Sequence, residues 1–243
     1  MTASTKRKRL GQHFLTDPQV IEKIVRLINP NTDEIMVEIG PGRGALTERL
    51  AGRTAELHAI ELDRQLFEEI QLANASKSVH IHHGDALKID YRSLISGGKK
   101  LRIVGNLPYS ISSQLIMRLL QFSDRIEDMV FMLQREVAIR LTALCGNHHY
   151  GRLTVCVTRS MHVEKVFDVP PSAFSPPPEV QSTMIYMRPK LVAETDSRIE
   201  NAFADLVRLA FSNRRKTLRN SLGIVLGESN LSLIHISEPT RPY

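Results

Sequence analysis

An amide, a rigid imino acid and a phenol ring stand together in Asn106-Leu107-Pro108-Tyr109, directly after the apolar run Leu101 to Val104. At the end of a strand, this combination makes a small polar pocket for a flat base. The amide can hold an amino group and the ring can stack on a π-face. An enzyme that modifies a nucleobase must hold that base out of its helix by edge and face, so the segment points to chemistry on nucleic acid.

A second group of residues suits a ligand carrying ribose and adenine. Val37-Glu38-Ile39-Gly40-Pro41-Gly42-Arg43-Gly44 reads as a strand running into a glycine loop and a helix. Gly40 and Gly42 let a ligand approach the backbone, and the following helix start offers unpaired N–H groups to an anion. Glu61 ends the second strand, twenty-one residues after Gly40, where a carboxylate can accept from both ribose hydroxyls. Asp85, in Gly84-Asp85-Ala86, can accept from an adenine amine. Taken singly, the glycines need only make a turn, the acids need only cap helices, and Asn106 need only cap the helix that follows. Placed at the ends of four strands of one open sheet, they point to a ligand site, without deciding between NAD and S-adenosylmethionine.

The elements that must position these residues follow from apolar periodicity. Strands are expected at Ile35 to Ile39, Leu57 to Ile60, Val79 to His82, Leu101 to Val104 and Met129 to Leu133. Helices are expected up to Leu50, over Leu62 to Leu72, over Ile111 to Phe122 and over Glu136 to Leu144. That alternation predicts an α/β protein with a parallel sheet covered on both faces. Leu153 to Val157, Val163 to Val169 and Val180 to Met187 then read as strands with no helix between them, an antiparallel edge. Ahead of the sheet, Asp17-Pro18 starts a helix whose apolar stripe is Val20, Ile21, Ile24, Val25 and Ile28. The proline-rich stretch Pro170 to Pro178 is expected to be stiff, to stay out of any ladder and to fix Phe174.

The chain has 243 residues, 42% of them hydrophobic, and a formal charge of +6. It is long enough for one large domain or one domain with an appendage. The charge favours a polyanionic partner. The two cysteines, Cys145 and Cys156, form no Cys-x-x-Cys pair, so a reducing compartment is expected and a disulfide framework is not. No apolar run approaches bilayer-spanning length, and a signal peptide is not expected. No standard metal-ligand spacing is found among Cys145, His148, His149 and Cys156, or among His80, His82 and His83; no metal is expected.

The expected organisation is a basic arm at 1–16, a catalytic α/β domain at 17–189, a linker at 190–197 and a partial helical domain at 198–230. Its helices are read at Ile199 to Phe211 and Arg214 to Leu226. Residues 231–243 show no amphipathic period and are expected to be a non-native tail. Lys6, Arg7, Lys8 and Arg9 in the arm, with Arg214, Arg215, Lys216 and Arg219, suit contacts to phosphates.

Several motifs occur in order: Gly11-Gln12-His13-Phe14-Leu15, Glu38-Ile39-Gly40-Pro41-Gly42, Ile60-Glu61-Leu62-Asp63, Gly84-Asp85-Ala86 and Gly105-Asn106-Leu107-Pro108-Tyr109. Gln134-Arg135-Glu136-Val137, Tyr150-Gly151-Arg152-Leu153, Val169-Pro170-Pro171-Ser172-Ala173-Phe174, Pro176-Pro177-Pro178-Glu179-Val180 and Phe211-Ser212-Asn213-Arg214-Arg215-Lys216-Thr217-Leu218-Arg219-Asn220 follow. The set closely resembles the bacterial small-subunit rRNA adenine dimethyltransferase family (KsgA type), from about Arg9 to Gly223.

The resemblance implies a Rossmann-like methyltransferase fold, with a seven-stranded mixed sheet whose last strands are antiparallel and a small, incomplete C-terminal helical domain. The implied enzyme is S-adenosyl-L-methionine-dependent. It places two methyl groups on each of two adjacent adenines in the 3′-terminal hairpin of small-subunit (16S) rRNA. The implied partner is the immature 30S subunit, met by a cytoplasmic monomer. By position, His13 and Leu15 would line the methionine side of the cofactor, with Gly40 in the loop against it. Glu61 would hold the ribose, Asp85 the adenine amine, and Asn106 would link cofactor to target; Gln12, Gly42, Leu62 and Ala86 complete the implied cofactor site. The family often has asparagine where His13 stands.

In that setting the Asn106 side-chain oxygen and the Leu107 carbonyl would accept from the adenine amine, and Pro108 would fix the turn. Tyr109 and Phe174 would cover the two faces of the base, each stack worth roughly 1–3 kcal/mol. Two other classes compete. A nicotinamide oxidoreductase needs only the glycine pattern, and a non-catalytic RNA-binding assembly factor needs no intact Asn106. A related large-subunit rRNA methyltransferase shares the sheet.

Overall fold

The computed structural model describes residues 12–74, 79–190, 197–212 and 221–222. Two compact units divide the chain: Met1–Ala138 with His162–Pro189, and Ile139–Met161 with Lys190–Tyr243. The span 139–161, which the sequence places inside the catalytic domain, thus groups with the C-terminal segment.

The first unit is built on a mixed sheet of seven strands. These are β2 (Ile35–Ile39), β3 (Glu56–Glu61), β4 (Val79–His83), β5 (Leu101–Asn106), β6 (Ile126–Gln134), β7 (Met161–Val169) and β9 (Ser182–Pro189), in the order β4-β3-β2-β5-β6-β9-β7. The pairs β3/β4, β2/β3, β2/β5 and β5/β6 are parallel, and β6/β9 is antiparallel. All five residues of β2 are buried, as expected of a central parallel strand covered on both faces. The chain winds outward from β2 to β4, then returns to lay β5 against the other side of β2. That reversal makes the carboxyl ends of β2 and β5 the place where a ligand fits.

Helix α1 (Pro18–Ile28) starts as expected. Asp17 Oδ1 accepts from the N–H groups of Gln19 at 2.8 Å and Val20 at 3.2 Å, and Pro18 occupies the first turn. Asn29 ends it with φ +47°, its N–H bonded to the Val25 carbonyl. Ile21, Ile24, Val25 and Ile28 face the core shared with Met36, Leu57, Val104 and Val130. The remaining helices of this unit are α2 (Thr47–Leu50), α3 (Arg64–Ala73), α4 (Ser112–Leu119), which tightens into a 3₁₀ turn over Leu120–Arg125, and the start of α5 (Arg135–Leu141).

Two expectations are corrected. Leu153 to Val157 is not a strand; it lies within helix α6 (Arg152–Ser160) of the second unit. The Gly151 N–H donates to Thr154 Oγ1 at 3.1 Å, and that hydroxyl donates to the Arg140 carbonyl. A five-residue run, three of them β-branched, carries no period able to separate the two states, and these local bonds decide for helix. The proline-rich loop also joins a ladder: Phe174–Ser175 (β8) pairs antiparallel with Phe14–Leu15 (β1). Prolines cannot donate, but the two residues between them can, and they tie the N-terminal strap across the sheet's end. The Ala173 carbonyl adds bonds from the Thr16 N–H at 2.9 Å and the Asp17 N–H at 3.2 Å.

In the second unit α6 packs on α7 (Ser197–Ala210), where the Arg159 guanidinium lies 4.1 Å over the Phe203 ring. The basic arm Lys6 to Arg9, the run Arg214, Arg215, Lys216 and Arg219, most of the expected second C-terminal helix, and the tail 231–243 lie outside the described residues. Among the described residues no helix is long and apolar enough to cross a membrane.

Candidate active site

A cleft opens at the carboxyl ends of β2, β3 and β5. The glycine loop forms its floor, the strap Gln12–Leu15 one wall and Asn106–Tyr109 another.

Along the sheet, the singled-out residues fall in spatial order: Asp85 after β4, Glu61 ending β3, Gly40 after β2 and Asn106 ending β5. Gly40 and Gly42 have φ of +67° and +58°, a region that favours glycine. A Cβ at Gly42 would stand 3.1 Å from the Phe14 ring, and one at Gly105 would stand 2.4 Å from the Ile39 carbonyl oxygen. The strap thus lies directly on the loop, and β5 reaches Asn106 only because residue 105 has no side chain.

Glu61 is 5% exposed. Its Oε2 accepts from the Gly42 N–H at 3.2 Å and its Oε1 from the Asp63 N–H at 2.9 Å. The Leu62 backbone adds a third bond, so only part of the carboxylate's accepting capacity remains for a hydroxyl donor. Burial raises the Glu61 pKa, and the backbone N–H bonds oppose that shift.

Asn106 Nδ2 donates to the His13 carbonyl at 3.1 Å. That bond turns Oδ1 away from the strap and leaves it without a donor among the described residues. The Leu107 N–H is bonded to the Met132 carbonyl, which holds the turn at Pro108 against β6. Tyr109 bonds Ser182 Oγ through its hydroxyl at 2.7 Å and stacks on the His13 ring at 5.8 Å between centroids. His13 Nδ1 lies 2.9 Å from the Pro176 carbonyl oxygen, so strap and proline-rich loop hold the ring pair jointly. Gln12 Oε1 is buried in the cleft wall with no hydrogen-bond partner among the described residues.

Four expected residues do not line the cleft. Phe174 is 4% exposed and sits in the core with Leu15, Ile21 and Met184; its ring is packed under the strap because β8 pairs with β1, so it does not cover a base here. Leu62 stands just beyond Glu61, 53% exposed. Asp85 Oδ1 accepts from the Leu87 N–H at 3.0 Å, and its Oδ2 faces Lys88 Nζ at 3.9 Å. Ala86 is buried, and its carbonyl accepts from the Tyr91 hydroxyl at 2.8 Å.

Six lining residues were not expected from the sequence: Phe14, Glu38, Pro41, Arg43, Ala45 and Leu46. Glu38 is 2% exposed and accepts from Thr47 Oγ1 at 2.6 Å. Its signal was a lone carboxylate inside the apolar strand Ile35–Ile39. Burial, the largest cause, raises the Glu38 pKa to about 7, with the nearby Glu61 charge adding to the shift.

That raised value has a pH consequence. A carboxyl titrating near 4.5 unfolded and about 7 folded favours the fold fully below pH 4.5. The contribution, about 3 kcal/mol, is lost as pH rises through 7. A cationic ligand in the cleft favours the anion and expels the proton. Titrations with the S-adenosyl-L-methionine expected from the sequence, at pH 7 in two buffers of different ionisation enthalpy, should therefore give different apparent heats, with up to about half a proton released; equal heats would remove Glu38 from the ligand's field.

The sequence profile of the family described as "Ribosomal RNA adenine dimethylase" matches residues 3–241. A Ribosomal RNA small subunit methyltransferase A from Thiobacillus denitrificans is 49% identical over 237 residues, 98% of this chain and 92% of the relative. A protein of the same name from Shewanella sp. is 46% identical over 239 residues, 98% of this chain and 89% of the relative. Among solved structures, a dimethyladenosine transferase from Plasmodium falciparum superposes with a TM-score of 0.73 at 28% identity, covering 92% of this chain and 78% of that one.

Proposed function

The chain belongs to the ribosomal RNA adenine dimethylase family and is a small-subunit rRNA adenine methyltransferase; from that premise we propose that it takes its methyl groups from S-adenosyl-L-methionine. We further propose that it dimethylates two adjacent adenines in the 3′-terminal hairpin of 16S rRNA on the immature 30S subunit.

The cleft fits that cofactor. Gln12 Oε1 is a buried acceptor lacking a donor among the described residues, which an ammonium would supply. Glu61 keeps accepting capacity for a ribose hydroxyl beyond its backbone bonds, and Gly40 and Gly42 place no side chain in the loop beside it. The exposed Leu62 and the Gly84-Asp85-Ala86 turn continue the line of sites outward along the sheet for an adenine. Bound S-adenosylmethionine supplies a sulfonium-activated methyl group, so the protein needs no nucleophile of its own.

The chain's residues then have three tasks. Asn106 Oδ1 and the Leu107 carbonyl accept from the adenine N6 amine. Those bonds draw the nitrogen lone pair out of conjugation with the ring and toward the methyl carbon. Tyr109, anchored through Ser182, offers a face for the extruded base, and stacking there is comparable to the few kcal/mol needed to unstack it. The fixed wall of strap and loop makes an in-line approach a matter of position.

The observation that carries this reading is the unpartnered Asn106 Oδ1, oriented by the strap at the end of β5 beside a two-carboxylate floor. Calorimetry tests the cofactor. S-adenosylmethionine should bind and NAD should give no heat; the reverse would return the oxidoreductase reading. Glu61→Ala should weaken S-adenosylmethionine binding by about 10- to 100-fold, since charge-assisted hydrogen bonds contribute about 1.5–3 kcal/mol each. Unchanged affinity would remove Glu61 from the ribose site.

A further inference from the structure

Among the described residues, Arg43 is the only Lys or Arg lining the cleft, whose lining also holds two buried carboxylates, Glu38 and Glu61. Its side chain is exposed, and its guanidinium lies 4.8 Å over the ring of Phe14. Phe14 is itself fixed: its strand pairs with Ser175, and its ring rests against Gly42. Among the described residues no carboxylate pairs with Arg43. A guanidinium stacked on an aromatic face keeps its in-plane N–H donors available, so the fork is held at the rim and still lacks an oxyanion.

We propose that Arg43 is a positioning residue that grips a backbone phosphate next to the target adenine, holding the RNA strand at the cleft mouth while the base is inside. This deepens the function proposed above and rests on it. A base that reaches Asn106 must leave its sugar-phosphate at the mouth. The floor there is anionic whenever Glu38 is ionised, so it repels a phosphate. One fixed cation at the rim offsets that repulsion, and a guanidinium meets phosphate oxygens in a bidentate fork. The competing anion is the carboxylate of the cofactor's amino-acid part. The exposure of Arg43, stacked on Phe14, favours the strand over a small ligand seated within the cleft.

The test compares the wild-type chain with Arg43→Gln and Arg43→Lys on unmodified small ribosomal subunits and on S-adenosylmethionine alone. For Arg43→Gln the KM for subunits should rise about tenfold, with kcat and cofactor Kd each within about twofold. Filter binding of the subunits, which needs no methyl transfer, should show the slope of log K against log salt reduced in magnitude by about 0.7, the contribution of one phosphate contact on single-stranded RNA. Arg43→Lys should restore the slope but only part of the affinity, since an ammonium neither forks nor stacks as a guanidinium does. Weakened cofactor binding with an unchanged salt slope would overturn the proposal in favour of the carboxylate. Unchanged KM and slope would overturn it in favour of a solvated side chain. Failure of the wild-type chain to transfer methyl groups would instead count against the function proposed above, and would leave the binding slope as an independent reading of Arg43.

Discussion

Asn106→Ala is expected to lower kcat for methyl transfer by about 10²–10³-fold, the range seen when one preorganised polar group at a reacting centre is removed, while cofactor affinity falls by less than about tenfold. The asymmetry follows from the bonds. Asn106 Nδ2 is committed to the His13 carbonyl, so the amide contributes to the cleft chiefly through Oδ1, which in the proposed function would meet the target amine. Loss of Nδ2 also frees the strap, which explains a small effect on cofactor. Single-turnover transfer to unmodified small subunits, with calorimetry on the same variant, measures both quantities. A kcat within threefold of wild type would show that Asn106 merely holds the strap.

The largest effect on stability is expected at the opposite end of the sheet. Arg102 is 8% exposed. It meets Asp128 in a fork, Nε to Oδ1 and Nη2 to Oδ2, both at 2.9 Å. Nη1 reaches Glu34 at 2.8 Å, and Nη2 reaches the Ile28 carbonyl at 2.7 Å. One side chain thus joins β5, β6 and the C-terminal end of α1, where a cation also suits the helix dipole. Arg102→Ala leaves the 6%-exposed Asp128 with only the Tyr186 hydroxyl at 3.3 Å. The expected loss is about 3–5 kcal/mol, read by urea denaturation. Because α1 follows directly from the strap, cofactor affinity should decline with it. A loss below about 1 kcal/mol would mean that water readily replaces the guanidinium.

The parallel core was legible because its strands are short apolar runs punctuated by glycine and asparagine. Ile35–Ile39 and Leu101–Asn106 could be read almost to the residue, and Asp17-Pro18 marked α1 through its cap. The candidate site was legible where the chemistry sits on backbone turns: Gly40, Glu61 and Asn106 all stand where the sheet ends. It was not legible where packing decides. Phe174 has the composition of a stacking ring, yet pairing of β8 with β1 turns it inward. Glu38 was hidden because a strand buried on both faces has no alternation to mark which side chain meets the cleft. Arg43 gave no local signal, since its role depends on Phe14, twenty-nine residues earlier in the chain. Leu153 to Val157 misled because β-branched residues raise strand propensity, while Thr154 has bonds only a folded neighbourhood supplies.

The most direct test of the account is transfer of labelled methyl from S-adenosylmethionine to small subunits that lack the modification, followed by nucleoside analysis and primer-extension mapping. The account predicts N6,N6-dimethyladenosine at two adjacent adenines of the 3′-terminal hairpin, and no label in large-subunit RNA. Label on large-subunit RNA, on another base, or on no RNA at all would contradict it.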